Sequence, residues 1–164
     1  MIVVAATTAG DRRRFSVAHE LGHLVLHQVP QGSAHAVEQQ ADAFAAAFLL
    51  PEAAMRRVLV PPITLTTLAD LKARWAVSLQ ALIRRARTLE LISHSHYRAL
   101  SAQLGARGWQ TQEPITVPVE RPRVLRQLAE LLYGRPIVTP RLADELSLDP
   151  SFVEDLLDAH AAGT

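Results

Sequence analysis

The sequence contains no cysteine among its 164 residues. This absence excludes disulfide bonds and thiolate ligands, so a metal could be held only by nitrogen and oxygen atoms. A long hydrophobic run is also missing, because the apolar segment 1–10 has no basic start and is too short to span a bilayer. That segment favours a β-strand and turn over a signal peptide, and we therefore expect a cytoplasmic protein with no membrane partner.

An excess of charge of one sign is absent as well. The 17 Lys and Arg residues oppose 16 Asp and Glu residues, which gives a formal net charge of +1 and says little about partners. Internal repeats and low-complexity tracts are not found. Hydrophobic residues make up 49% of the chain and charged residues 20%, so a packed core is expected rather than extended disorder.

Two histidines four positions apart occur in the motif His19-Glu20-Leu21-Gly22-His23. Residues four apart on an α-helix lie on the same face, so both imidazoles can point at one ion. Glu20 lies about 100° around the helix from His19 and can reach a water at that ion without binding it. The motif therefore predicts a zinc site with Glu20 as the general base.

A third ligand is needed, because catalytic zinc typically has three protein ligands and one position for water. Glu38, on a following helix, is the natural donor. Asp42 lies one turn further on, where its carboxylate can accept the remaining N–H of a ligating histidine. Zn²⁺ is the expected ion, although Mn²⁺ or another divalent ion also suits a His/His/Glu site.

The helix predicted to carry the two histidines, from about 13 to 28, is apolar almost all round, so we expect it to be buried. Unpaired polar groups on a buried helix would cost roughly 1–3 kcal/mol each, which favours a metal site over a chance motif. A second helix is predicted from about 33 to 50. Its many alanines should let the two helices approach closely and bring Glu38 to His19 and His23.

Two segments around these residues resemble the ImmA/IrrE family of metallopeptidases. The first, RFSVAHELGHLVLH, spans Arg14 to His27, and the second, EQQADAFAAAFLLP, spans Glu38 to Pro51. Weaker similarity continues through 75–82, 85–92, 113–114 and 120–122, so the resemblance touches most of the chain.

This resemblance implies a gluzincin-like site in which His19, His23 and Glu38 hold the metal and Glu20 is the general base. Asp42 departs from the family pattern, since family members often have asparagine there. Family members cleave, or trigger the cleavage of, helix–turn–helix repressors. We therefore expect a protein substrate, a helix–turn–helix repressor or antitoxin-like regulator, whose cleavage derepresses stress-response or mobile-element genes.

The predicted fold class is α+β and predominantly helical: a zincin-like minimal metallopeptidase core with a small N-terminal β-sheet, followed by a helix–turn–helix-like region. The short β-branched segment Ile2–Ala6 predicts an edge strand that an extended peptide could join. The predicted domains are the peptidase core at 1–60, a helix–turn–helix-like segment packed on it at 61–108, and a C-terminal helical segment at 109–164. Helices are predicted at 68–75, 78–89, around 97–104, and at 123–133, 140–146 and 150–160.

A hydrogen-bond donor is also needed for the oxyanion formed during peptide hydrolysis. Arg85 and Tyr97 are the candidates. Each has an ordinary alternative: an arginine on a basic helix often faces solvent or pairs with a carboxylate, and a lone tyrosine often only packs.

Four other histidines have weaker claims to the metal. His27, one turn after His23, is better interpreted as a supporting or packing residue, because three consecutive turns of one helix cannot surround a tetrahedral ion well. His35 is a weaker substitute for Glu38. His94 and His96 stand in a serine-rich turn and are expected to face solvent.

Two alternatives to a protease remain open. The helix–turn–helix pattern at 68–89 carries Arg84, Arg85 and Arg87 and could contact the phosphates of DNA. A pseudoprotease could instead bind a repressor or toxin partner without cutting it. The intact motif argues against the second alternative, because a binding module has no need of Glu20. The sequence does not define the oligomeric state.

Overall fold

The computed structural model describes residues 9–27, 32–120 and 123–160. The regular structure of these residues consists of nine α-helices. Their bounds are α1 Gly10–Leu26, α2 Ala34–Leu49, α3 Glu52–Val58, α4 Leu65–Trp75, α5 Leu79–Thr88, α6 His94–Ala106, α7 Val124–Tyr133, α8 Thr139–Leu146 and α9 Pro150–Ala159.

The predicted α+β fold class is wrong, because every regular element in the described part of the chain is a helix. The predicted strand Ile2–Ala6 lies outside the described residues. A sheet needs at least two paired strands, and the described residues offer no second strand. The irregular segment 113–119, which passes beside the start of α1, accepts one backbone hydrogen bond there, from Gly10 N to Val117 O at 3.2 Å. The predicted small N-terminal sheet is therefore absent from the described residues.

The chain divides into two compact units, Met1–Val119 and Glu120–Thr164. The sequence predicted three segments, a finer division than these two compact units. The two units do not test the predicted boundaries within them. The first unit contains α1 to α6, and the second contains α7 to α9.

The core of the first unit is formed around α4, α5 and α6. Leu68, Leu79 and Leu82 are fully buried there. The helix–turn–helix pattern is present, with Ala76 in the left-handed conformation at a φ of 52° between α4 and α5. The helix α4 begins with a capping box, in which Thr64 is the N-cap and Thr67 is its partner.

The helices α1 and α2 pack through small residues. Ala41 and Ala45 of α2 are fully buried, and a Cβ atom built on Gly22 of α1 would lie only 3.3 Å from the Cα of Ala41. The expectation that α1 is buried all round is wrong in the described part of the chain. Its residues Val17 and Leu24 are 42% and 54% exposed, because among the described helices α1 packs mainly on α2 through one of its sides.

A buried ion-pair network fixes the start of α1. Lys72 of α4 is 1% exposed and pairs with Asp11 of α1 and with Glu113, whose Oε2 lies 3.0 Å from its Nζ. Glu113 also accepts the backbone N–H of Leu79 through its two oxygens, at 3.1 and 3.0 Å. The first turns of α1 and α5 are therefore tied to α4 through one ammonium group.

The second unit has a small core of its own. Ala129 of α7, Ala143 of α8 and Leu157 of α9 are buried in it. The helix α9 begins after Asp149, whose side chain accepts the backbone N–H groups of Ser151 and Phe152. The predicted C-terminal helices at 123–133, 140–146 and 150–160 match α7 to α9 to within one residue at each end.

None of the helices in the described residues is long and apolar enough to cross a bilayer.

Candidate metal centre

The two motif histidines lie side by side on α1. The Nε2 atoms of His19 and His23 are 3.0 Å apart, and their rings meet edge to face with centroids 4.7 Å apart. Their side chains are 18% and 24% exposed, so both rings are largely enclosed while their Nε2 atoms converge. The spacing of four residues places them on one face of the helix, as helix geometry requires.

Glu38 of α2 reaches the same point. One of its carboxylate oxygens lies 3.2 Å from His19 Nε2, and the other lies 3.5 Å from His23 Nε2. One ligand atom from each of the three residues falls within 4.8 Å of the other two. The close approach of α2 to α1 at Gly22 and Ala41 allows this, because bulkier residues would hold the helices further apart.

These distances fit a tetrahedral ion. Ligands bound at 2.0–2.1 Å to a tetrahedral zinc lie about 3.3–3.4 Å from one another. The two Nε2 atoms are 3.0 Å apart, His19 Nε2 is 3.2 Å from one oxygen of Glu38, and His23 Nε2 is 3.5 Å from the other oxygen. The donor set of two imidazoles and a carboxylate is also one that Zn²⁺ accepts. The residues present therefore fit a zinc ion, with room in a four-coordinate site for one further ligand.

The hydrogen bond behind His19 supports this interpretation. His19 Nδ1 lies 2.9 Å from Asp42 Oδ1, and an ionised carboxylate can only accept a hydrogen bond. The ring hydrogen of a neutral His19 is therefore on Nδ1, and its Nε2 carries a lone pair. This lone pair points toward His23 and Glu38, where it is available to bind a cation.

His23 is supported differently. Its Nδ1 lies 3.0 Å from Nδ1 of His27, and Nε2 of His27 lies 2.9 Å from Oε1 of Gln40 on α2. The sequence predicted only a supporting or packing role for His27, and the part of Gln40 was missed. Gln40 lies about 200° around α2 from Glu38, so helix periodicity gave no reason to connect them.

Glu20 follows His19 on α1 and is partly buried. Its carboxylate makes no hydrogen bond or ion pair with any other residue in the described ranges. The structure therefore places it on the motif helix without a competing internal partner, and its role as the base stays a prediction.

Arg85 is not brought to the cluster. It is 9% exposed, and its Nε donates to the carbonyl of Leu50, where α2 ends, at 2.9 Å. Leu50 lies 12 residues after Glu38, which corresponds to about 18 Å along a helix axis. This hydrogen bond gives Arg85 a structural role far from the converging ligand atoms.

Tyr97 and the remaining histidines also have other neighbours. Tyr97 of α6 packs on the core of the first unit and stacks on His94, with ring centroids 6.3 Å apart. His35 pairs with Gln39 through its Nε2 at 3.0 Å. His96 lies in the first turn of α6 and contributes its backbone N–H to the Ser93 cap.

A groove of about 460 Å³ adjoins the cluster at Asp42. Phe15 and Ala46 contribute apolar surface from α1 and α2, and Arg84 lines it from α5. Its volume falls within the roughly 300–1,000 Å³ of ordinary ligand pockets. The first unit therefore has a recess next to the candidate ligands in which part of a polypeptide could lie.

The described geometry is of a class used by metal-dependent hydrolases: two histidines one turn apart, a glutamate beside the first, and a carboxylate from a second helix. The profile of the IrrE N-terminal-like domain, peptidase family M78, matches residues 1–87. This is more than half of the chain, and the chain belongs to that family, which implies a metallopeptidase. No curated protein matches the chain.

Proposed function

We propose that this protein is a zinc-dependent endopeptidase that hydrolyses a peptide bond in a regulatory protein. The observation that carries the proposal is the convergence of ligand atoms of His19, His23 and Glu38 to within 4.8 Å of one another in a chain of the M78 peptidase family. Each donor comes from a position that secondary structure fixes, two from α1 and one from α2. The absence of cysteine from the chain leaves these nitrogen and oxygen donors as the means of holding the ion.

The residues divide the chemistry between them. A bound zinc ion supplies Lewis acidity, which activates water and polarises a peptide carbonyl. His19, His23 and Glu38 hold the ion, and Asp42 orients His19 through its Nδ1–H. Glu20 takes a proton from the attacking water at a carboxylate oxygen and later delivers it to the leaving amine.

The proposed substrate is a helix–turn–helix repressor or an antitoxin-like regulator, cut inside the cytoplasm so that stress-response or mobile-element genes are derepressed. The family supports a peptidase, and the resemblance of the two motif segments to ImmA/IrrE proteins supports this class of substrate. The groove at Asp42 supports a protein substrate, because it offers a recess beside the candidate ligands, lined by α1, α2 and α5, in which part of a polypeptide could lie.

The decisive experiment begins with a search of the neighbouring genes for a small helix–turn–helix protein, which is then used as the substrate. The full chain is incubated with that protein and zinc, and intact masses are recorded. We expect two fragments whose masses sum to the substrate plus one water. A zinc chelator should abolish the reaction, and Glu20→Gln should abolish it while retaining zinc.

The outcomes separate the parts of the proposal. Failure of the wild-type chain to bind zinc would overturn the metallopeptidase. Zinc binding with no cleavage of the repressor would overturn the proposed substrate. Equal cleavage by the wild type and by Glu20→Gln would remove Glu20 from the role of base.

A further inference from the structure

The two histidine ligands have chemically different supports. His19 donates its Nδ1–H to the carboxylate of Asp42 at 2.9 Å. His23 has no carboxylate at its Nδ1 in the described structure; the atom found there is Nδ1 of His27, at 3.0 Å. Metal-bound histidines generally need an acceptor for their second ring N–H, so an imidazole in this position calls for an explanation.

The positions of the ring hydrogens follow from the acceptors. If His23 uses Nε2 for the ion, its hydrogen is on Nδ1, and His27 must accept it with a bare Nδ1. The hydrogen of a neutral His27 is then on Nε2, which lies 2.9 Å from Oε1 of Gln40. A carboxamide oxygen accepts a hydrogen bond, so each donor and acceptor in this series of hydrogen bonds has a suitable partner.

We infer that His27 and Gln40 are positioning residues that hold His23 in the ligating tautomer through the chain Gln40–His27–His23. The inference rests on the proposed function, because it assigns the hydrogens for a metal-loaded site. It makes the site asymmetric: Asp42 supports one histidine with a charged acceptor, and a neutral imidazole anchored on α2 supports the other.

This arrangement also links the two helices beside the ion. His27 is the residue after the last turn of α1, and Gln40 lies two positions after Glu38 on α2. These hydrogen bonds therefore connect the end of α1 to α2, and a change at Gln40 should reach His23 only through His27. The inference can therefore be tested by comparing the zinc affinities of single and double variants at these two positions.

The test measures zinc affinity by competition with a chromophoric chelator. Loss of an outer partner of a metal ligand typically weakens binding about 10- to 100-fold, and we expect this from His27→Leu. Gln40→Leu should weaken binding in the same direction but by less, because His27 remains as an acceptor. Gln39→Leu is the matched control: Gln39 also pairs with a histidine, His35, but outside the cluster, and it should change affinity by no more than about twofold.

Two further measurements separate positioning from a general structural effect. His27→Asn should recover most of the affinity, because its Oδ1 can accept the Nδ1–H of His23. The double variant His27→Leu/Gln40→Leu should bind zinc as weakly as His27→Leu alone, since Gln40 acts through His27. Nitrogen-15 NMR of the zinc-loaded protein should show His27 as the Nε2–H tautomer, and Gln40→Leu should remove that preference.

Unchanged zinc affinity in His27→Leu would overturn the inference while leaving the zinc peptidase intact. Fully additive effects of the two leucine substitutions would also overturn it, because independent effects exclude a chain. A wild-type protein that does not bind zinc would overturn both this inference and the proposed function.

Discussion

Arg85 donates a hydrogen bond from its Nε to the backbone carbonyl of Leu50 across 2.9 Å, and both residues are buried. The last carbonyls of a helix have no partner within that helix, so another donor must satisfy them when water is excluded. Arg85 supplies that donor from α5 at the C-terminal end of α2. The residue that sequence reasoning placed at the oxyanion thus holds the ligand-bearing helix α2 against the core.

We expect Arg85→Met to lower the free energy of unfolding by about 1–3 kcal/mol, because it leaves the Leu50 carbonyl buried without a donor. Urea denaturation of the full chain measures this. The neighbouring exposed residue supplies the control, since Arg84→Met should change stability by no more than about 0.5 kcal/mol. A variant of unchanged stability that had lost all cleavage would return Arg85 to the active site.

Local periodicity predicted much of the helical structure but not how the helices are assembled. The spacing of His19 and His23 is a property of one helix, so it could be predicted from the sequence alone, and the structure brings both to Glu38. The partner of Arg85 depends on where α2 ends relative to α5, which no local pattern reveals. Gln40 was missed for the same reason, because its contact with His27 joins two helices.

The N-terminal β-sheet was predicted from the β-strand propensity of a short segment, but a sheet also requires tertiary contacts. A strand is stable only when another strand or a packed face satisfies its backbone groups. The described residues beside the start of α1 are irregular at 113–119 and offer a single backbone hydrogen bond, at Val117. The α-helical patterns needed no such partner and were therefore predicted more reliably.

The separation of α1 and α2 should control metal affinity. Ala41 is fully buried against α1, so Ala41→Leu should force the helices apart, draw Glu38 away from the histidines and weaken zinc binding, with an overpacking cost of about 1–3 kcal/mol. The same substitution at Ala47, which is exposed on the same helix, is the matched control. Chelator competition measures both variants, and equal zinc affinities would contradict this account of the interface.

The single lysine of the chain should resist amine-reactive reagents. Lys72 is 1% exposed and engaged by Asp11 and Glu113, so its ammonium group is shielded in the native protein. Reductive methylation followed by peptide mass spectrometry should leave Lys72 unmodified in buffer and modify it in urea. Rapid modification under native conditions would show that the network opens readily and does not fix the start of α1.

Acid should weaken the start of α9. Hydrogen bonds from the Ser151 hydroxyl and then from the backbone N–H groups of Ser151 and Phe152 lower the pKa of Asp149 below its ordinary value of 3.8. A depressed carboxyl pKa stabilises the folded state above the unfolded pKa, and this contribution is lost as the pH falls through the folded pKa.

The melting temperature of Asp149→Ala should therefore be lower than that of the wild type at pH 7, and the difference should narrow below about pH 4. Asp155→Ala, at an exposed position within the same helix, should show no such convergence. A gap between Asp149→Ala and the wild type that stays constant down to pH 2 would mean that the charge of Asp149 does not contribute to the cap.

The position of α5 bears on the DNA-binding alternative. Gln80, Arg84 and Thr88 lie along one side of α5 and line the groove whose other walls are α1 and α2. A recognition helix has to enter a major groove about 12 Å wide with its exposed side clear of the rest of the protein. The walls on α1 and α2 obstruct that approach, so the polar side of α5 is better placed to meet a polypeptide in the groove.

We therefore expect no binding of a fluorescent DNA duplex at low salt, measured by anisotropy. Phosphate contacts would instead give an affinity that falls steeply with added salt, and loss of one contact would reduce the slope of log K against log salt by about one. Arg84→Ala tests the α5 surface, and Arg57→Ala, an exposed arginine of α3, is the control. Tight, salt-sensitive binding that Arg84→Ala weakens and Arg57→Ala does not would establish α5 as a DNA-contacting helix.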